Sequence, residues 1–194
     1  MSERQPQYPA DALFVNRWSP RSLTGEAIDD QTLLTLFEAA RWAPSAFNVQ
    51  PWRFSYSKND SESFSTYLDF LVEFNQSWAK NASALIVVLA KKITMTSQAE
   101  VEFPSYAFDT GAAWASLAFQ AEKLGWVTHG MTGINKEKIA ATLKVPETYS
   151  VEAMIAVGKQ GDKAALPEGL QAKEAPSDRR PVEETIFEGI GFKE

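Results

Sequence analysis

Apolar residues take up helical spacing just after Ile28, where Leu33, Phe37 and Ala40 share one face and Asp29-Asp30 offers an N-cap. Pro44 ends that helix, and residues 44–52 follow as a loop of small and amide side chains. Residues 53–57 alternate like a short strand, and a polar break at 58–62 closes it. Phe64, Leu68, Leu71, Asn75 and Trp78 then fall on one face, which predicts a single helix. Residues 84–90 are continuously apolar over a strand's length, the pattern of a central strand buried on both faces. Residues 108–123 are apolar and small around nearly the whole helical circumference, which predicts a helix buried on all sides. In a chain this short, a second subunit covering one side would complete that burial. Gly125 suits the end of this helix. A strand at 127–129, a turn at 130–135, a helix at 136–144 and a strand at 151–158 follow. Residues 159–180, rich in Pro, Gly, Lys and Glu, read as an extended arm, with one more short element at 182–187. About four strands interspersed with helices indicate a layered α/β arrangement.

The 194 residues suit one domain, with residues 1–12 as an N-terminal extension and 159–194 as the arm. A chain of this length buries roughly 70% of its unfolded surface, enough for a core without covalent staples. Composition narrows the chemistry further. There is no cysteine, which removes disulfides, thiolate nucleophiles and Cys-type metal sites. The one histidine, His129, cannot build a multi-histidine metal centre. Nineteen basic against twenty-five acidic residues leave a net charge of −6, a poor footprint for nonspecific nucleic-acid binding. No apolar stretch of signal-peptide length opens the chain and none is long enough to span a bilayer, so a cytoplasmic location is expected. Few of the usual catalytic side chains are on hand.

Two segments carry most of the candidate chemistry. In Arg17-Trp18-Ser19-Pro20-Arg21, the polar side chains can converge on a phosphate or on electron-rich carbonyls through charge-assisted hydrogen bonds. The plainer reading is a solvated basic turn. Pro44-Ser45-Ala46-Phe47-Asn48-Val49-Gln50-Pro51-Trp52 braces a hydroxyl and two side-chain amides between prolines. It reads equally as a rigid structural loop over a buried tryptophan. His129 is either a hydrogen-bonded structural residue or a group that reaches a substrate. The other tryptophans read as core, and Lys136, Lys138 and Lys144 as a solvated helix face.

Taken together and in order, these segments resemble the FMN-dependent nitroreductase family. Asp109-Thr-Gly-Ala-Ala113, Leu124-Gly-Trp-Val-Thr-His-Gly-Met-Thr-Gly-Ile134 and Arg179-Arg-Pro181 extend the likeness across the chain. The resemblance implies an α+β fold of three α/β/α layers, with a central mixed sheet and a long buried helix at a homodimer interface. It implies FMN as cofactor, NADH or NADPH as reductant, and two flavin sites each built from both subunits. By position, Arg17, Trp18, Ser19 and Arg21 belong to the phosphate, ribityl and pyrimidine contacts, with Arg21 toward the N1–C2=O edge. Pro44, Ser45, Ala46 and Asn48 would come from the partner subunit, with Gln50 and Asn75 as neighbours of the ring. Thr132 and Gly133 would lie near N5, and Arg179 would return to the phosphate from the arm. The implied reaction is ping-pong hydride transfer to an electron-poor acceptor such as a nitroaromatic, quinone or activated alkene. A flavin carrier or sensor with little turnover, or an enzyme of this fold acting on a small aldehyde or on flavin itself, are the alternatives. The short 91–104 connection implies a more open site than larger relatives have.

Overall fold

A computed structural model describes residues 4–95 and 99–191. Helix α1 spans Ala12–Asn16 and α2 spans Asp30–Arg41; the latter starts where the sequence predicts, with Asp29 accepting from the Thr32 amide at 2.7 Å. Strand β1 is Trp52–Lys58. Helices α3 (Phe64–Leu68) and α4 (Glu73–Ala79) occupy the stretch where one continuous helix was expected. The break has a tertiary cause. Leu71 forms a bridge with Ile134, and the Val72 amide donates to the Gly133 carbonyl at 3.0 Å, so backbone groups between the two helices are used outside them.

Strand β2 (Ala84–Lys91) is followed by a small hairpin of β3 (Ile93–Met95) and β4 (Glu100–Glu102) inside the 91–104 connection. The tip of that connection, 96–98, lies outside the described residues, as do residues 1–3 of the expected N-terminal extension and 192–194 of the arm. Helix α5 (Tyr106–Lys123), strand β5 (Val127–Met131), helix α6 (Lys136–Leu143), strand β6 (Tyr149–Gly158) and the short helix α7 (Glu168–Gln171) complete the order. Gly125, at φ +69°, takes the left-handed conformation just past the end of α5.

The main sheet has strand order β1-β2-β6-β5. All three of its pairings are antiparallel, so within one chain the sheet is not the mixed one expected. Alternation along the two central strands divides the core into two layers. Leu85, Val87, Met154 and Ala156 face Phe70, Leu71, Trp78 and Ile139 of the α3, α4 and α6 side. Ile86, Val88, Ile155 and Val157 face Leu33, Leu36, Ala113 and Leu117 of α2 and α5. The sheet flanked by helices on both faces matches the expected layered fold.

Two expectations change. Helix α5 buries Ala113, Leu117, Ala118 and Ala121, but Phe108 is 84% exposed, and Ala112, Ala115 and Phe119 are only half covered. Within one chain it is therefore buried along one side rather than all round. The arm is also more packed than its composition suggests, because Leu166 and Leu170 are buried in the first core layer. Gln7 and Tyr8 hydrogen-bond to Glu183, so the two ends of the chain run together.

Candidate functional site

The chain leaves α1 and crosses the end of β5 through Arg17, Ser19 and Arg21. A pocket of about 370 Å³ opens there, lined by these residues with Trp18, His129, Lys173, Arg179 and Arg4. The side chains of Arg4, Arg17, Arg21, Lys173 and Arg179 bring five cations to this one pocket, in a chain whose net charge is −6. Burial is the first reason the Arg17 guanidinium lies below its ordinary pKa; nearby Arg179 adds to the depression and Glu122 opposes it. Arg17 Nη1 donates to Ser19 Oγ at 3.3 Å. An adjoining hollow of about 290 Å³ shares Arg17 and Ser19 and continues over Ala115, Ala118, Phe119, Trp114 and Gly130. A cationic end and an apolar floor are thus continuous.

Buried Glu174 and half-buried His129 hold this wall; of the two, Glu174 was not singled out from the sequence. Glu174, whose side chain is 1% exposed, accepts at Oε1 from the Arg21 amide (2.7 Å), the Ser22 amide (2.8 Å) and the Ser22 hydroxyl (2.9 Å). Its Oε2 lies 4.0 Å from Arg21 Nη1; among the described residues neither this oxygen nor the buried Arg21 Nε has a hydrogen-bond partner. The carboxylate latches the arm to the arginine segment across 152 residues. Nothing periodic in the lysine- and glutamate-rich arm marks this residue.

His129 ties the same segment to the sheet. The Pro20 carbonyl can only accept, so His129 Nδ1 carries the proton and donates to it at 3.1 Å, while the ring packs on Trp78 at 4.7 Å between centroids. Burial is the chief cause of an imidazole pKa below its usual 6.5; the Pro20 carbonyl and Glu174 oppose it, and Arg21 reinforces it. Above pH 6.5 the ring is neutral folded or unfolded. As pH falls below 6.5, the unfolded chain binds the proton first, and stability is lost until the lower folded pKa is passed. A denaturation midpoint followed across this range should fall with pH more steeply for the parent than for His129→Gln; parallel curves would remove His129 as the source.

Helix α4 contributes a second part of the site from the same face. Trp78 supports His129, and Asn75, one turn earlier, donates from Nδ2 to the Gly133 carbonyl at 3.1 Å. Gly133 has no room for a side chain: a Cβ would sit 2.7 Å from Asn75 Nδ2 and 3.0 Å from Val72 Cγ2. Thr132 is exposed beside it. Asn75, Thr132 and Gly133 therefore cluster past the end of β5, outside the lining of the cationic pocket.

Pro44, Ser45, Ala46, Asn48 and Gln50 lie elsewhere, at the start of α5. Phe47, Asn48 and Gln50 all have positive φ, from 50° to 55°, at a cost on the order of 1–3 kcal/mol each. Ser45 Oγ accepts from the Gln50 amide at 3.0 Å, and buried Asp109 accepts from the Ala46 amide and from Ser105 Oγ. Phe47 is 94% exposed and edges onto Phe103. Among the described residues, this strained, outward-facing loop lines neither of the two pockets at Arg17. Trp52, by contrast, is core.

The nitroreductase family model matches residues 15–63 and 57–159. A crystal structure described as an oxidoreductase containing FMN superposes with a TM-score of 0.97 at 44% identity, covering 100% of this chain and 99% of that one. A 15.4 kDa protein of Mycolicibacterium smegmatis, not functionally characterised, is 35% identical over 131 residues, 68% of this chain and 82% of its own length. A putative nitroreductase from Desulfovibrio desulfuricans, in complex with FMN, shares the fold at a TM-score of 0.73 and 23% identity, over 96% of this chain and 99% of its own.

Proposed function

Because this chain belongs to the nitroreductase family, we propose that it is an FMN-dependent oxidoreductase working on a nicotinamide donor and an electron-poor acceptor. The observation that carries this reading is the five-cation pocket continuous with an apolar floor on α5. A flavin mononucleotide has a phosphate of about two negative charges near neutral pH and a flat apolar ring, so the pocket suits both ends. The unpartnered Arg21 Nε supports the same fit. When bound, the flavin would supply hydride chemistry between NADH or NADPH and an acceptor such as a nitroaromatic, quinone or activated alkene.

The chain's own residues bind, orient and tune. Arg17 and Arg179 concentrate positive charge at the phosphate end, and Ser19 adds a hydroxyl. Arg21, held by Glu174, places a fixed cation at the pyrimidine edge, where negative charge develops on reduction. Asn75, by donating to the Gly133 carbonyl, fixes the backbone at 132–133 that would lie near the ring. No side chain here needs to act as an essential acid, since protons can come from solvent.

The half-covered face of α5 and the exposed Phe47 loop support a homodimer. In it the loop at Ser45, Ala46 and Asn48 reaches the site of the other subunit, and the strain at 47–50 is held for that purpose. Purified protein should carry stoichiometric yellow FMN that bleaches with NADH or NADPH. Colourless protein that cannot be reconstituted with FMN would overturn the reading. Arg21→Ala should weaken FMN retention about ten- to a hundredfold, or slow its reduction, with the dimer intact on gel filtration. Unchanged flavin content and unchanged kinetics would remove Arg21 from the site.

A further inference from the structure

The geometry points to Arg4 as a ligand of the cofactor's phosphate, which makes the segment before α1 a strap over the anion end of the site. This rests on the flavin reading above and goes beyond it, because the family resemblance places no residue of 1–12 in the site. Three observations converge. Arg4 lines the same pocket as Arg17 and Arg179. Its Nη1 donates to the Val15 carbonyl at 2.8 Å and the Arg17 carbonyl at 2.9 Å, which fixes the guanidinium at the end of α1, beside the arginine segment. Its Nε is buried without a hydrogen-bond partner among the described residues.

Charge supplies the reason for an anion. Burial is the largest cause of an Arg4 pKa below the ordinary value; Arg179 and Arg17 lower it further, and Asp178 opposes them. Three guanidinium groups that stay charged at any ordinary pH have been drawn together at one end of a pocket. Two backbone carbonyls satisfy part of Arg4's hydrogen bonding but do not neutralise it. A doubly charged phosphate does, adding to the partial compensation that Asp178 gives Arg4 and Glu122 gives Arg17.

The alternative is a clamp that shapes the backbone at 15–17 and meets no ligand. The two roles differ in what they do to riboflavin, which has the ring and ribityl chain of FMN but no phosphate. Dissociation constants of FMN and riboflavin are to be measured by fluorescence quenching of the apoprotein, for the full chain and for Arg4→Ala. Circular dichroism and gel filtration check the fold and the dimer of both. The expected result is an FMN affinity lowered about tenfold or more, with riboflavin affinity unchanged within about twofold. Arg4→Lys, which keeps the charge but loses the planar fork, should fall between the two for FMN. Equal weakening of both flavins would overturn the proposal in favour of a clamp, and no change in either would overturn it outright. A parent protein that binds neither flavin would instead overturn the flavin reading itself.

Discussion

Glu174→Ala is expected to destabilise the fold by about 3–5 kcal/mol, read as a lower midpoint in denaturant unfolding. The carboxylate side chain is 1% exposed and accepts three hydrogen bonds from Arg21 and Ser22. Truncation to alanine strands two backbone amides and a hydroxyl away from water, and leaves the partly buried Arg21 without its counter-charge. Glu174→Gln keeps an accepting oxygen for the amides and loses only the charge, so its midpoint should lie between the two. The arm should also become more open to proteolysis in the alanine variant, since the same carboxylate joins it to the arginine segment. An alanine variant with the parent's midpoint would show that the arm is held by Leu166 and Leu170 alone.

Trp78→Ala should cost a similar amount, about 3–5 kcal/mol, for a different reason. Trp78 is among the largest fully buried side chains and sits in the first core layer with Phe70, Leu85 and Met154. Its removal leaves a cavity that the sheet cannot close, because β2 is locked between β1 and β6. It also removes the ring on which His129 rests. Loss of stability should therefore be accompanied by a smaller pH dependence near 6.5, as His129 becomes more hydrated. Trp78→Phe, which retains a ring, separates the two effects: it should recover most of the stability. Full stability in Trp78→Ala would mean that the α3–α4 layer repacks, contrary to the tight core seen.

Much of this molecule is legible locally. The start of α2 follows from Asp29 and the apolar face behind it, and the course of β2 from one continuous apolar run. Arg17, Trp18, Ser19 and Arg21 meet in one pocket because residues this close along a short segment cannot be far apart. The helix expected across 64–78 fails for a reason no local pattern contains. The facing positions are helical, but Val72 donates to Gly133 and the turn is lost to a partner 61 residues away. The all-round apolar pattern of α5 misleads in another way. One chain covers a single side, and the proposed homodimer would cover the other. The extended arm was misjudged because Leu166 and Leu170 are isolated apolar residues in a polar stretch, too few to show a period.

By itself, the sequence determined the layers, the order of helices and strands and the kind of chemistry to seek, because these follow from short-range periodicity and from motifs a few residues long. The lack of cysteine and the single histidine fit the cofactor chemistry that the family resemblance implies. Only the tertiary structure decided which groups meet. Arg4 and Arg179 converge on Arg17 from opposite ends of the chain, and Glu174 fastens Arg21. The strained loop at 47–50 is carried away from the arginines of its own chain. Charges and hydrogen bonds act over a few ångströms of space irrespective of sequence separation, so such meetings leave no periodic trace along the chain.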